Sequence, residues 1–394
     1  MKKSVVSVLI FCTSLTAFAQ TTDGLSDQLN PLLTGVPSLS IGPDAVAGGM
    51  GEVGVATAPD VNSQHWNSSK YAQATSAAGF AFSYTPWLRS LGVNDIDLSY
   101  LAGYYKLNDM AGTISASLRY FSLGEIQLRE SADAVPIPVK PYELAFDAGY
   151  SRMLSEHFSM GVVFRIICSD LSTRSEEYYP GYAYSADING YYAVPIDTKT
   201  GESKLGIGFN LSNLGSKISY DKFETSNFLP TDLRLGASYL MPFDRYNRLS
   251  VSLDFDKLLV PSRNSKFTDG YVADDATTWG MSEDQYNNLS VMQGLAWSFS
   301  DAPNGFSEEM EEINFALGME YAYNEQFFAR AGYHNESANK GNRKYFTVGA
   351  GFKMSAFKLD VGYVVSLAQN NPLDQTLRFS LAFDIDGIRS LTDR

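Results

Sequence analysis

From about residue 73 onward the chain repeats one pattern some fourteen times: a segment of about ten residues in which large apolar or aromatic side chains alternate with small or polar ones. Leu377–Ile385, Phe315–Tyr323, Leu249–Asp256 and Leu205–Leu211 are the clearest examples. A two-residue period places each set on one face of a strand. A soluble sandwich alternates in the same way, so alternation alone leaves two architectures open. The segments match a tilted strand crossing a bilayer, against ~5–6 residues in soluble sheets. The 24 Tyr and 24 Phe, many near segment ends, suit aromatic girdles at the two membrane interfaces.

The connections alternate in length. Short links fall at Leu107–Met110, Ser155–His157, Asp197–Glu202, Phe243–Arg248, Asn324–Gln326 and Met354–Ala356. Between them lie the longer Thr85–Asn94, Leu123–Lys140, Ser169–Tyr182, Gly215–Leu229, Val260–Met310, Asn335–Gly341 and Ala368–Asp374. Six turns on one side and seven loops on the other give fourteen strands. The expected fold is all-β, a 14-stranded antiparallel transmembrane β-barrel over 73–386, with termini periplasmic and long loops extracellular. No later segment reaches the roughly 18 uninterrupted apolar residues of a membrane helix.

The first nineteen residues read as a cleaved secretory signal peptide: Lys2 and Lys3, an apolar run from Val5 to Leu15, then Ala17, Phe18 and Ala19 before Gln20. Cys12 leaves with it, so Cys168 stands alone and no intramolecular disulfide or cysteine metal site is expected. The whole chain carries a formal charge of −14, and loss of the two leader lysines leaves −16. So acidic a chain is no nucleic-acid binder. His65, His157 and His334 lack the spacing of a zinc site, and no Gly-x-Ser-x-Gly elbow or phosphate loop occurs. No catalytic residue, cofactor or metal is expected. The acidic run Glu308 to Glu312 reads as a solvated charge run rather than a calcium loop.

The small parity also carries charge. Asp97, Arg119, Asp147, Arg165, Arg234, Asp254, Asp360 and Arg378 are expected to face the lumen. Residues equidistant from a turn centre face each other across a hairpin. That construction pairs Asp97 with Arg119, Asp147 with Arg165, Arg234 with Asp254, and Asp360 with Arg378. Such cross-strand pairs contribute about 0.2–1 kcal/mol each. They are read as a structural network that anchors the N-terminal segment, with loss of Arg165 expected to loosen it.

Within loop 260–310, Ser282 to Gln285 resembles a capping box ahead of Tyr286, Leu289, Met292, Leu295, Ala296 and Phe299 at helical spacing. A helix near 282–299 is expected to cover the barrel mouth. With Trp87, Trp279 and Trp297 it forms the candidate partner-facing surface. Ser40 to Ala72, within the N-terminal segment 20–72, is rich in Gly, Ala, Ser and Asn. Its composition allows either a flexible linker or a compact insert.

That last stretch carries a family likeness. Pro43–Tyr71 (PDAVAGGMGEVGVATAPDVNSQHWNSSKY) resembles the N-terminal signature of the PorV family, outer-membrane barrels of the type IX secretion system. Arg119–Glu125 (RYFSLGE), Arg330–Glu336 (RAGYHNE), Lys340–Phe352 (KGNRKYFTVGAGF) and Asn371–Leu381 (NPLDQTLRFSL) resemble it too, so the likeness spans the mature chain. The sequence departs at its end, where a polar tail, 387–394, replaces the usual terminal aromatic. The family is similar to the FadL-like transporters, and the resemblance implies an N-terminal plug inside the lumen. It also implies a non-catalytic shuttle that takes cargo, by a C-terminal β-sandwich signal, from the translocon channel to an attachment complex. There the PorU sortase joins cargo to lipopolysaccharide. The alternative function is a FadL-like channel for a hydrophobic small molecule. A purely structural barrel or adhesin leaves the plug-like stretch without a role.

Overall fold

The computed structural model describes residues 30–392, apart from 90–91, 109–110, 129–134, 172–177, 199–200, 223–225, 264–282 and 368–372. The expected leader, 1–19, lies outside these residues. Fourteen strands close into one antiparallel barrel. In chain order they are β1 (Ala78–Pro86), β2 (Ile96–Asn108), β3 (Gly112–Leu123), β6 (Tyr142–Met153), β7 (Phe158–Asp170), β8 (Gly181–Thr198) and β9 (Gly201–Gly215). Then follow β12 (Asp232–Pro242), β13 (Asn247–Leu258), β14 (Ile313–Tyr323), β15 (Phe327–Asn335), β16 (Lys344–Met354), β17 (Phe357–Ser366) and β18 (Leu377–Asp384). The remaining strands form two ribbons within the long loops, β4 (Ile126–Leu128) with β5 (Ile137–Val139), and β10 (Ile218–Ser219) with β11 (Ser226–Asn227).

Closure is made by β1, which pairs with β2 on one side and β18 on the other, from Gly79↔Asp384 to Tyr84↔Phe379. A closed sheet has no edge, so each strand finds its backbone partners inside the wall, as a lipid-facing sheet must. The alternation has the expected physical outcome. Phe82, Leu101, Phe146, Phe164, Leu235 and Phe379 lie on the outward parity and are exposed, while Ser83, Tyr100, Asp147, Arg165 and Arg378 on the other parity are buried. The apolar set is turned toward lipid and the polar set toward the lumen.

All six short connections lie at one end. In the tightest, Asn324 and Glu325 both take positive φ, 52° and 53°, which matches the strand twist as a type I′ turn does. The residues expected as a polar tail begin instead as helix α6 (Ile385–Thr392), docked by Asp386, whose carboxylate accepts the Ala77 N–H at 2.8 Å.

Candidate functional site

The lumen is filled by the N-terminal segment. Leu39 and Val36 pack on Ala145, Ile167 and Ala183 of the wall, and Val46, Met50 and Val53 pack on Ala316. Two short helices, α1 (Ala45–Gly48) and α2 (Ser63–Trp66), organise it. Asp44 caps α1 through Oδ1, which accepts from the N–H groups of Val46 (3.0 Å) and Ala47 (2.9 Å). Its Oδ2 accepts from the Trp66 indole at 2.7 Å, which joins the two helices. Lys70 donates to the Gly54 carbonyl at 2.7 Å and to Thr57 at 3.0 Å.

The glycines of the plug and the wall let two backbones touch. Gly51 has φ +72°, and a Cβ there would strike the Tyr333 backbone. On the wall opposite, a Cβ at Gly332 would fall on the Met50 carbonyl carbon and the Gly51 nitrogen. Small residues on the inward parity thus make room for the plug.

Wall charges then grip it. Arg119 donates to the carbonyls of Ser38 (2.5 Å) and Ile41 (2.9 Å) and to Nδ1 of His65 (3.0 Å). Since arginine only donates, His65 Nδ1 accepts and the imidazole is neutral; burial and then the Arg119 charge hold its pKa well below the ordinary value. Asp254 accepts the backbone N–H groups of Gly54 (2.7 Å) and Val55 (3.0 Å). Arg378 pairs with Glu52 at 2.5 Å. Burial works to raise the Glu52 carboxyl, but the charge and hydrogen bond of Arg378, with His334 and Arg343, together outweigh it and bring the pKa to about 2. Asp44 has no such partner; burial and then the nearby Asp60 push it up to about 6.

Three of the four expected cross-strand pairs are therefore corrected. Arg119 faces Tyr100, and Asp97 faces Ser122, because the β2–β3 turn is centred two residues beyond the assumed point and a bulge between Lys106 and Asn108 shifts the register by one. Asp97 thereby falls on the outward parity and leaves the lumen. Arg234 faces Asp256 and Asp254 faces Gly236; Arg234 bonds Asp232 on its own strand at 2.5 Å. Arg378 faces Gly362, and Asp360 faces Ser380 and pairs with Arg330 at 2.8 Å. In both hairpins the true centre lies one residue from the assumed one, and the error doubles across the strand. Asp147 and Arg165 do face each other and pair at 2.7 Å. Arg165 also takes Asp187 at 2.9 Å and bonds Asn213, all within the wall and none on the plug.

Sequence reasoning missed Glu52, Asp187 and Asn213, which no hairpin construction reaches. It also missed Arg330 and Glu320, which are opposite across the Asn324–Gln326 turn and pair at 2.7 Å. That pair was within reach of the turn-centre argument.

At the loop end the expected single helix is two. Helix α3 (Glu283–Asn288) stops, and Ser290 opens α4 (Val291–Trp297) with a capping box, its hydroxyl accepting the Gln293 N–H. Ser282 and Trp279 lie outside the described residues. Tyr286 and Leu289 are buried against Phe228 and Val260, with Trp297 packed beside them. Trp87 packs against Tyr345, Val364 and Leu373. Leu295 is half-buried, whereas Met292 and Phe299 are exposed, at 65% and 51%. Of the expected surface, the inner half covers the mouth and the outer half is open. Phe306 at 80% and Met310 at 50%, both on helix α5 (Phe306–Glu311), are exposed as well.

The run at 308–312 is also corrected. Glu308, Glu309 and Glu312 are buried rather than solvated, because Lys257 and Lys340 reach into them. Beneath the loops lies a cavity of about 520 Å³ lined by Leu32, Ile41, Trp87, Phe121, Leu123 and Leu258, with Glu336, Lys340 and Arg343 also in its lining. A smaller one, about 210 Å³, lies at the turn end among Asp60, Asn62, Arg248 and Lys358.

Comparison with known proteins gives two findings. A family model described as Type IX secretion system protein PorV matches residues 25–265. Among solved structures, a mutant of the TodX monoaromatic hydrocarbon channel is similar with a TM-score of 0.52 at 12% identity, covering 87% of this chain and 98% of that one. The Pseudomonas putida toluene transporter TodX is similar with a TM-score of 0.48 at 10% identity, covering 90% and 99%. At such identity the likeness is one of fold. Among curated protein sequences, none matches this chain.

Proposed function

We propose, for a chain that belongs to the PorV family of type IX secretion system proteins, that it is a non-catalytic shuttle of the outer membrane. In this reading the loop end faces outward and the turn end faces the periplasm. The loop face takes the C-terminal β-sandwich signal of a cargo protein at the translocon channel. It then presents the cargo to the attachment complex, where the PorU sortase transfers it to lipopolysaccharide. The observation that carries this reading is the exposure of four large apolar side chains at the loop end, Met292, Phe299, Phe306 and Met310, above a lumen filled by polar plug contacts. Exposed apolar patches mark docking surfaces. A lumen crossed by such contacts offers little path for solute.

A photo-crosslinking residue at Met292 or Phe299, in the native membrane, tests it. Adducts with secreted proteins that share the C-terminal signal, or with the sortase, are expected. No such adduct, together with normal cargo release from a Met292→Asp, Phe299→Asp protein, overturns it.

The second reading is a channel for a small apolar compound, favoured by the 520 Å³ cavity and its apolar lining. Mass spectrometry of the purified barrel decides between them. A stoichiometric apolar ligand lost on Phe121→Glu would move the function to transport.

A further inference from the structure

Where the long loop returns to the barrel, six charged side chains are shut away from solvent. Asp301, Glu308, Glu309 and Glu312 bring four carboxyl groups and Lys257 and Lys340 two ammonium groups, each residue less than a tenth exposed. Lys257 bonds Glu309 at 3.1 Å and also reaches Glu312; Lys340 bonds Glu308 at 2.6 Å and Glu312 at 3.0 Å. The ammonium groups thus serve the three glutamates and leave Asp301 out. Asp301 is 0% exposed, and only its Oδ2 is satisfied, by the Ser262 N–H at 2.6 Å. Its Oδ1 is buried with no hydrogen-bond partner. A buried carboxyl oxygen without a partner is costly, and the cluster as a whole holds four carboxyl groups against two ammonium groups.

Asp301, Glu309 and Glu312 each bring one carboxylate oxygen within 4.8 Å of the others. Oxygens at opposite sides of a calcium ion with bonds of about 2.4 Å are separated by about that distance. The geometry points to a binding site for a hard divalent cation, calcium or magnesium, formed by Asp301, Glu309 and Glu312 at the base of the long loop. The donors are all carboxylate oxygens, the set that hard cations take and softer metals do not prefer. One such ion would offset the excess of carboxyl over ammonium groups. Glu309 keeps its bond from the Ala302 N–H at 2.8 Å, which fixes its orientation as an outer-shell partner does.

The site would tie the loop together at its root. Asp301 already holds Ser262 at the departing limb, and Ser262 bonds Asn30 of the N-terminal segment. An ion shared with Glu309 and Glu312 adds the returning limb. The exposed Met292 and Phe299 lie in the loop that this base closes.

The test is a calcium titration of the whole barrel in detergent, after stripping with a chelator, read by calorimetry and by melting temperature. One saturable site per chain is expected, with a raised melting temperature and affinity at least about tenfold weaker in Asp301→Asn. A parallel magnesium titration tells which ion the site prefers. No saturable binding of either ion by the wild-type protein overturns the site, as does equal affinity in Asp301→Asn and Glu309→Gln. Where neither variant inserts, hydrogen exchange of the wild-type protein decides: the ion must slow exchange across 301–312, and unchanged exchange there overturns the site.

Discussion

Arg165 and Arg378 are both arginines on the inward parity of a barrel strand, and both are almost fully buried. Arg165 is satisfied by the wall itself, through Asp147, Asp187 and Asn213 on three other strands. Arg378 reaches out of the wall to Glu52 on the plug. The same side chain therefore stitches strand to strand in one place and plug to wall in another. Where its carboxylate sits in the chain decides which part of the molecule it holds. Arg119 and Asp254 belong with Arg378, since their bonds run to the plug backbone.

The largest effect is expected at Arg165. Arg165→Ala strands two buried carboxylates, and loss of one partner of a buried ion pair costs about 3–5 kcal/mol. Urea unfolding in micelles should show the whole barrel weakened, with the plug exposed to protease only as the barrel opens. Selective plug cleavage in an intact barrel would break the contrast.

Arg378→Ala comes next, at about 3 kcal/mol, because it strands one carboxylate, and that one lies on a segment able to leave the wall. Protease should cut the N-terminal segment while the barrel keeps its heat-modifiable migration. Adding Glu52→Gln should restore most of the resistance. A barrel that unfolds with its plug would place Arg378 with Arg165.

The smallest net effect is that of pH. Glu52 has its carboxyl held below the ordinary value, so its contribution is present above about pH 4.5 and is lost as pH falls toward 2. Asp44 is raised, so the folded plug binds its proton more tightly and loses stability as pH rises from about 4 to 6. On these two groups the plug is held best near pH 4 to 5, and loosens on either side. Protection of residues 35–75 from hydrogen exchange, followed across pH 2–7, checks this. A monotonic trend would show that one of the two groups is not coupled to plug docking.

Much of the barrel was legible because its signals are local. Alternation along Leu377–Ile385 needs only the two-residue period, and the turn at Asn324 needs only its neighbours. The loop was half legible: apolar spacing found Tyr286 and Leu289, but the capping box of Ser290 and Gln293 opens a second helix and divides the expected one. The acidic run at 308–312 looked solvated because Lys257 and Lys340 are remote in sequence.

By itself the sequence determined the strands, their faces, their number and the asymmetry of their connections, since each follows from period and turn chemistry within some twenty residues. Only the tertiary structure decided which charge meets which. A one-residue shift in register moves every side chain to another partner, and a bulge turns Asp97 to the other face. The partners of Arg119, Asp254 and Arg378 lie on a segment that enters the lumen from the other end of the chain. No pattern along a strand encodes a contact made across the barrel's interior.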